Sequence, residues 1–148
     1  MRRSPLSTLV LTLAFAAAPA IANGTDGQWL AGEAIVAALA GKTIEGRYAN
    51  GRSFIEHYQA DGRVEYIEGA QSIGGHWSVT AGTLCTIYDT DPTGGCFRVS
   101  RVGANCFEFY FTARSEAAAP GPEGSKPTWT ARGSVPGEGA RCGDGADV

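Results

Sequence analysis

The sequence predicts a mainly β fold: seven to eight short antiparallel strands forming a small barrel or strongly curled sheet, with one short N-terminal helix. Three observations predict it. From Thr43 onward, β-branched and aromatic residues alternate with polar ones at the two-residue period of a strand. These runs are short and are divided by turn dipeptides, among them Asn50-Gly51, Asp61-Gly62 and Ala81-Gly82. Ahead of them stands one stretch with helical spacing. So many short strands with a single helix must bury their apolar face by closing on themselves or by curling under the helix.

The chain opens MRRSPLSTLVLTLAFAAAPAIANG. Arg2 and Arg3, an apolar run from Leu9 to Ala18, and the small-x-small triplet Ala20-Ile21-Ala22 have the form of an export signal cleaved after residue 22. The run is shorter than the roughly 20 apolar residues that span a bilayer, and no membrane span is expected elsewhere. A polar lead over residues 23–29 follows, then LAGEAIVAALAG, with Ala31, Ala34, Ile35, Ala38 and Leu39 on one helical face and Gly41 placed to end it in a left-handed cap. Two to three turns are too short to stand alone, so this helix must pack on the strands.

The strands come in order. TIEGRY, SFIEHYQ and RVEYIE are joined by the Asn50-Gly51 and Asp61-Gly62 hairpins, read as type I′ turns. In the second of these runs Phe54, Glu56 and Tyr58 share a face while Ile55 and His57 share the other. GGHWSVT then points Trp77 and Val79 one way and His76, Ser78 and Thr80 the other, with Gly74 and Gly75 read as a bend at its entry. TLCTIYD, CFRVSRV and CFEFYFTA follow, the last with Phe107, Phe109 and Phe111 on one face. RSEAAAPGPEGSK reads as an exposed loop and PTWTAR as a final strand carrying Trp129. The organisation is therefore a signal (1–22), a lead (23–29), one β-rich domain (30–132) and a glycine-rich tail (133–148) tethered by a disulfide.

All four cysteines follow the signal, and an even count after an export signal reads as two disulfides in an oxidising compartment, the periplasm or the secreted milieu. Cys85 and Cys96 fall directly opposite one another if the hairpin between them is centred near Thr90 and Asp91; Cys106 is then left for Cys142, which fastens the tail. With all four engaged and no C-x-x-C spacing, neither a zinc site nor a reactive thiol is expected.

Composition excludes further classes. Losing Arg2 and Arg3 moves the formal charge from −3 to −5, and the basic residues that remain are scattered singly, so no nucleic-acid partner is expected. His57 and His76 lie in different strands and read as exposed sheet residues. The loop DTDPTGG places Asp89, Asp91, Thr93 and Gly94 like the start of an EF-hand, but Ser100 stands where a bidentate glutamate is needed. No nucleophile elbow or phosphate-binding loop occurs, and Glu56, Glu65, Glu68 and Glu108 would form paired carboxylates only if the fold brought them face to face. No cofactor is expected, and the chain does not read as an enzyme.

Tyr48, Tyr58, Tyr66, Tyr88 and Tyr110 each fall in a different strand, where they serve either as half-buried strand residues or as a polar-tipped pocket lining. The order AALAGKT, GRY, FIEHY with a DGR turn, GHWSV, GCFRV and CFEFY resembles a family of small exported proteobacterial domains of unknown function. The likeness runs from about Leu30 to Thr112, with RGSVPGEG as a divergent closing segment, and it implies no catalytic or binding residues. The expected function is an exported binding module for a small apolar molecule or a cell-envelope component, with Tyr58, Tyr66 and Trp77 around the ligand and Phe109 as floor. The alternative is a periplasmic interaction or inhibitor protein acting through the 114–127 loop or the DTDPTGG hairpin.

Overall fold

The computed structural model describes residues 27–113, 129–139 and 141–143. The predicted export signal and the 114–127 loop lie outside the described residues. Nine strands and one helix follow in order: β1 (Gln28–Trp29), α1 (Gly32–Leu39), β2 (Lys42–Tyr48), β3 (Ser53–Tyr58), β4 (Arg63–Glu68), β5 (Gln71–Thr80), β6 (Thr83–Tyr88), β7 (Asp91–Arg101), β8 (Phe107–Ala113) and β9 (Ala131–Ser134). Strands β2 to β8 pair successively through β7–β8, and β9 inserts between β8 and β2, so eight antiparallel strands close into a barrel. β1 is an extra strand that runs beside the end of β7. Among the described residues no helix is long and apolar enough to cross a membrane.

Closure follows from the alternation. Phe54, Tyr58, Val64, Tyr66, Trp77, Leu84, Val99, Phe107 and Phe109 point inward and form one buried cluster. The helix closes one end of the barrel: Ile35 and Leu39 are fully buried in that cluster, together with Ile44 of β2. Burying an aliphatic side chain of that size contributes about 2 kcal/mol, which holds a helix too short to persist alone. Gly41, at φ +73°, ends it and donates its N–H to the Tyr58 carbonyl, so the chain passes directly from helix to barrel.

The hairpins differ from the expected type I′ geometry. Gly51 and Gly62 have positive φ, but Asn50 and Asp61 do not. The N–H groups of Gly51 and Gly62 instead bond back to the Tyr48 and Gln59 carbonyls, and the Asn50 and Asp61 side chains accept from the N–H groups of Arg52 and Arg63. These are three-residue loops in which a type I turn precedes a left-handed glycine, and Asn or Asp fits them through its side-chain hydrogen bond. The turn with two positive φ angles is Ala81-Gly82, at +49° and +75°.

Three other expectations are corrected. β5 begins at Gln71, so Gly74 and Gly75 lie inside the strand; a side chain on Gly75 would run into the Ile87 carbonyl of β6. The last strand is ARGS, not PTWTAR, because pairing with β2 and β8 begins at Ala131; Gly133 and Ser134 therefore belong to the barrel and not to the tail. Phe111 continues the inward face of Phe107 and Phe109, yet it is 47% exposed because it stands at the barrel rim, edge-on to Phe97. The disulfides join Cys85 to Cys96, which are register partners in β6 and β7, and Cys106 to Cys142.

Candidate functional site

The inward face of β3 carries Phe54, Glu56 and Tyr58, which places a carboxyl group among aromatic rings inside the barrel. Glu56 is 7% exposed and accepts hydrogen bonds from the Tyr58 hydroxyl at 2.5 Å and from the Tyr88 hydroxyl of β6. Burial pushes the Glu56 carboxyl above the usual carboxylate range, although the two hydroxyl donors pull the other way. Burial, reinforced by the neighbouring Glu56, also raises Tyr58 and Tyr88, so both remain donors across the physiological range.

Beside this centre a second chain of groups leads to the end of the barrel opposite the helix. Tyr48 donates to the Tyr66 hydroxyl at 3.1 Å, and Tyr66 donates to Glu68 at 2.6 Å. Arg52 engages both oxygens of Glu68, at 2.5 and 2.8 Å, and holds its carboxyl below the usual range. The rings touch as well: Tyr48 lies 4.9 Å from Phe54, and Tyr66 lies 5.3 Å from Tyr88, between centroids. Four of the five tyrosines therefore converge around Glu56 and Glu68. The fifth, Tyr110, is on the outer wall, edge-on to Trp29 at 4.9 Å and bonded to Glu108.

The interior is nearly filled. A cavity of ≈ 30 Å³ remains among Glu56, Tyr58, Thr86, Tyr88, Phe97 and Phe109, room for about one water. A drug-sized molecule needs roughly tenfold more space. The helix plugs one end; among the described residues the other end has no such plug, and Tyr48, Tyr66 and Tyr88 stand there with the exposed ring of Phe111.

Of the residues expected at a ligand site, Tyr58 and Tyr66 belong to this cluster, and Phe109 lines the residual cavity as a wall. Trp77 is placed elsewhere. Its indole N–H donates to the Gln59 carbonyl at 2.8 Å, and its ring meets Tyr58 edge-on beside the β3–β4 turn, toward the helix-plugged end. Glu56 was visible as an acid on an otherwise aromatic strand face; its position at the centre depends on closure of the barrel.

The remaining titratable groups are outside. His57 meets the Thr43 hydroxyl at 2.7 Å and stands opposite Glu65 in the β3–β4 register, while His76 is exposed opposite Arg63. The four strand carboxylates do not pair with one another: Glu65 accepts from Ser72, and Glu56, Glu68 and Glu108 have the partners named above. No group of three or more His, Cys, Asp or Glu among the described residues could hold a metal ion.

A wider concavity lies on the outer wall, where β3, β2 and β9 run side by side. It measures ≈ 500 Å³, and its lining includes Arg47, Arg132, Arg141, Glu45, Ser53 and Ser134. The chain matches no protein-family model, no curated protein and no solved structure.

Proposed function

We propose that this protein is an exported binding module, periplasmic or secreted, whose small ligand or envelope component docks at the barrel end opposite the helix. The observation that carries this reading is the hydroxyl network leading to that end: Tyr58 and Tyr88 donate to the buried carboxyl of Glu56, and beside them Tyr48 donates to Tyr66 and Tyr66 to Glu68. The filled interior directs the ligand to the mouth, against Tyr66 and Phe111, with one polar group reaching toward Glu56. Hydroxyls, ring faces and carboxylates suit a body that is apolar and ends in a hydrogen-bond donor or an ammonium group. Two disulfides, with no membrane-length helix among the described residues, are consistent with an oxidising compartment.

The test compares native and denatured masses of the protein purified under mild conditions. The reading expects a mass excess that denaturation releases and that Phe111→Ala loses while its thermal midpoint stays near that of the parent, since Phe111 is exposed at the rim. A wild-type protein of bare chain mass, or a mass excess unchanged in Phe111→Ala, would overturn it.

A further inference from the structure

The outer groove over β3, β2 and β9 is a place where the barrel wall bends inward. In the β2–β9 register Gly46 stands directly opposite Gly133. A Cβ on Gly46 would come within 2.5 Å of the Arg132 carbonyl and 2.6 Å of the Phe54 ring, and one on Gly133 would meet Ile44. With no side chain at either position the wall packs closely onto the core, and its outer surface becomes concave.

Charge gathers in that concavity. Arg47 lies at its centre, paired in register with Ser53 of β3 on one side and Arg132 of β9 on the other. Like charges directly opposite on one sheet face oppose pairing. A third guanidinium, Arg141, is brought over the groove by the tail, which the Cys106–Cys142 disulfide fastens to the barrel. Arg132 donates to the Gly143 carbonyl at 2.8 Å, and this contact also holds the tail in place. Among the described residues of the lining the one carboxylate is Glu45, whose contact with Arg141 at 3.8 Å is longer than a hydrogen bond. Arg141 is 67% exposed. Glu108 of β8, the register partner of Arg132 on its other side, offsets the charge of Arg132, so the positive charge offered to the groove is that of Arg47 and Arg141. This concentration of positive charge occurs on a chain whose formal charge is negative.

We propose that this groove is an anion site for a phosphate ester, free or carried on a lipid headgroup, held by Arg47 and Arg141 with the Ser53 hydroxyl beside them. Planar guanidiniums pair with the oxygens of a phosphate through parallel N–H donors, and a groove of ≈ 500 Å³ exceeds the size of the anion itself, leaving room for the group it esterifies. The site is distinct from the tyrosine mouth, and its failure would leave the reading of the mouth intact.

The experiment titrates the folded, disulfide-bonded protein with inorganic phosphate at low salt and follows backbone amide resonances. The expected result is saturable, one-to-one binding with shifts at Arg47, Ser53, Arg132 and Arg141. Arg141→Gln and Arg47→Gln should each weaken it about tenfold, the loss of one charge-assisted contact. Arg63→Gln, at the opposite end of the wall, should leave it unchanged, and all three variants should keep the parent's thermal midpoint. Sedimentation with phosphatidylcholine vesicles containing phosphatidic acid separates the sources: co-sedimentation that Arg141→Gln abolishes assigns the site to a headgroup, and phosphate binding without co-sedimentation assigns it to a soluble ester. Phosphate shifts that do not saturate, or an Arg141→Gln protein that binds as Arg63→Gln does, overturn the proposal.

Discussion

Replacing Glu56 with glutamine tests the buried centre of the barrel, because it preserves shape while removing the ionisable group. The glutamine carbonyl can accept from one of the two tyrosine hydroxyls, so the substitution disturbs about one buried hydrogen bond, on the order of 1 kcal/mol. Its pH dependence is more informative. Burial raises the folded-state pKa of Glu56 above its unfolded value, near 4.3 for a model glutamate. The folded protein therefore binds the proton more tightly, and the resulting stability is fully present below the unfolded pKa and is lost as pH rises through the folded one. Each tenfold gain in proton affinity of the folded state is worth about 1.4 kcal/mol over that window. Glu56→Gln lacks this contribution. In urea unfolding with both disulfides intact, the variant should be less stable than the parent at acid pH, and the gap should close as pH rises toward neutrality. A gap that is constant, or that widens with pH, would show that Glu56 is held as a charged carboxylate and would refute the argument.

Three further outcomes are expected. Ala81 adopts φ +49°, where a Cβ is crowded, so Ala81→Gly should raise stability by roughly 0.5–1 kcal/mol in the same urea assay despite the added freedom of the unfolded chain; a loss of stability would contradict the turn geometry. Opening the Cys106–Cys142 bridge, with a sequence separation of 36, by replacing both residues with serine should cost about 4 kcal/mol on the chain-entropy model, against about 3 for the Cys85–Cys96 bridge, with its separation of 11. Spectrophotometric titration should show that Tyr48, Tyr58, Tyr66 and Tyr88 ionise only with alkaline unfolding: their raised values make stability present below about pH 10, the unfolded tyrosine value, and lost above it. Four tyrosinates appearing while near-ultraviolet dichroism stays native would contradict their burial.

Much of the fold was legible because it rests on local signals. The helical spacing around Ile35 and Leu39, the glycines of the two hairpins and the alternation from Phe54 to Phe109 each act over a few residues. The Cys85–Cys96 pairing was legible from the hairpin register, and the irregularity between Thr86 and Tyr88 leaves that register intact where the cysteines sit. What could not be read depends on contacts distant in sequence. β9 is recognisable as ARGS only through its two partners, and Trp29 looks like part of a polar lead until β1 joins β7 and covers Tyr110. The candidate sites divide in the same way. Glu56 stood out as an acid on an aromatic face, whereas the meeting of Arg47, Arg132 and Arg141 requires both the β2–β9 pairing and the disulfide-held tail. Trp77 stands apart from the tyrosines expected beside it because strand parity shows that a ring points inward without showing which end of the barrel it approaches.

The central claim is that ligand binds at the tyrosine-lined end of the barrel and not at the end plugged by the helix. It is tested most directly by amide chemical-shift mapping with benzylamine as the probe and benzoate, similar in body but opposite in charge, as its counterpart. The account predicts saturable benzylamine shifts centred on Tyr48, Tyr66, Tyr88 and Phe111, and none there with benzoate. Shifts centred on Trp77 and Ile35, equal binding of the two probes, or no saturable binding of benzylamine would contradict it.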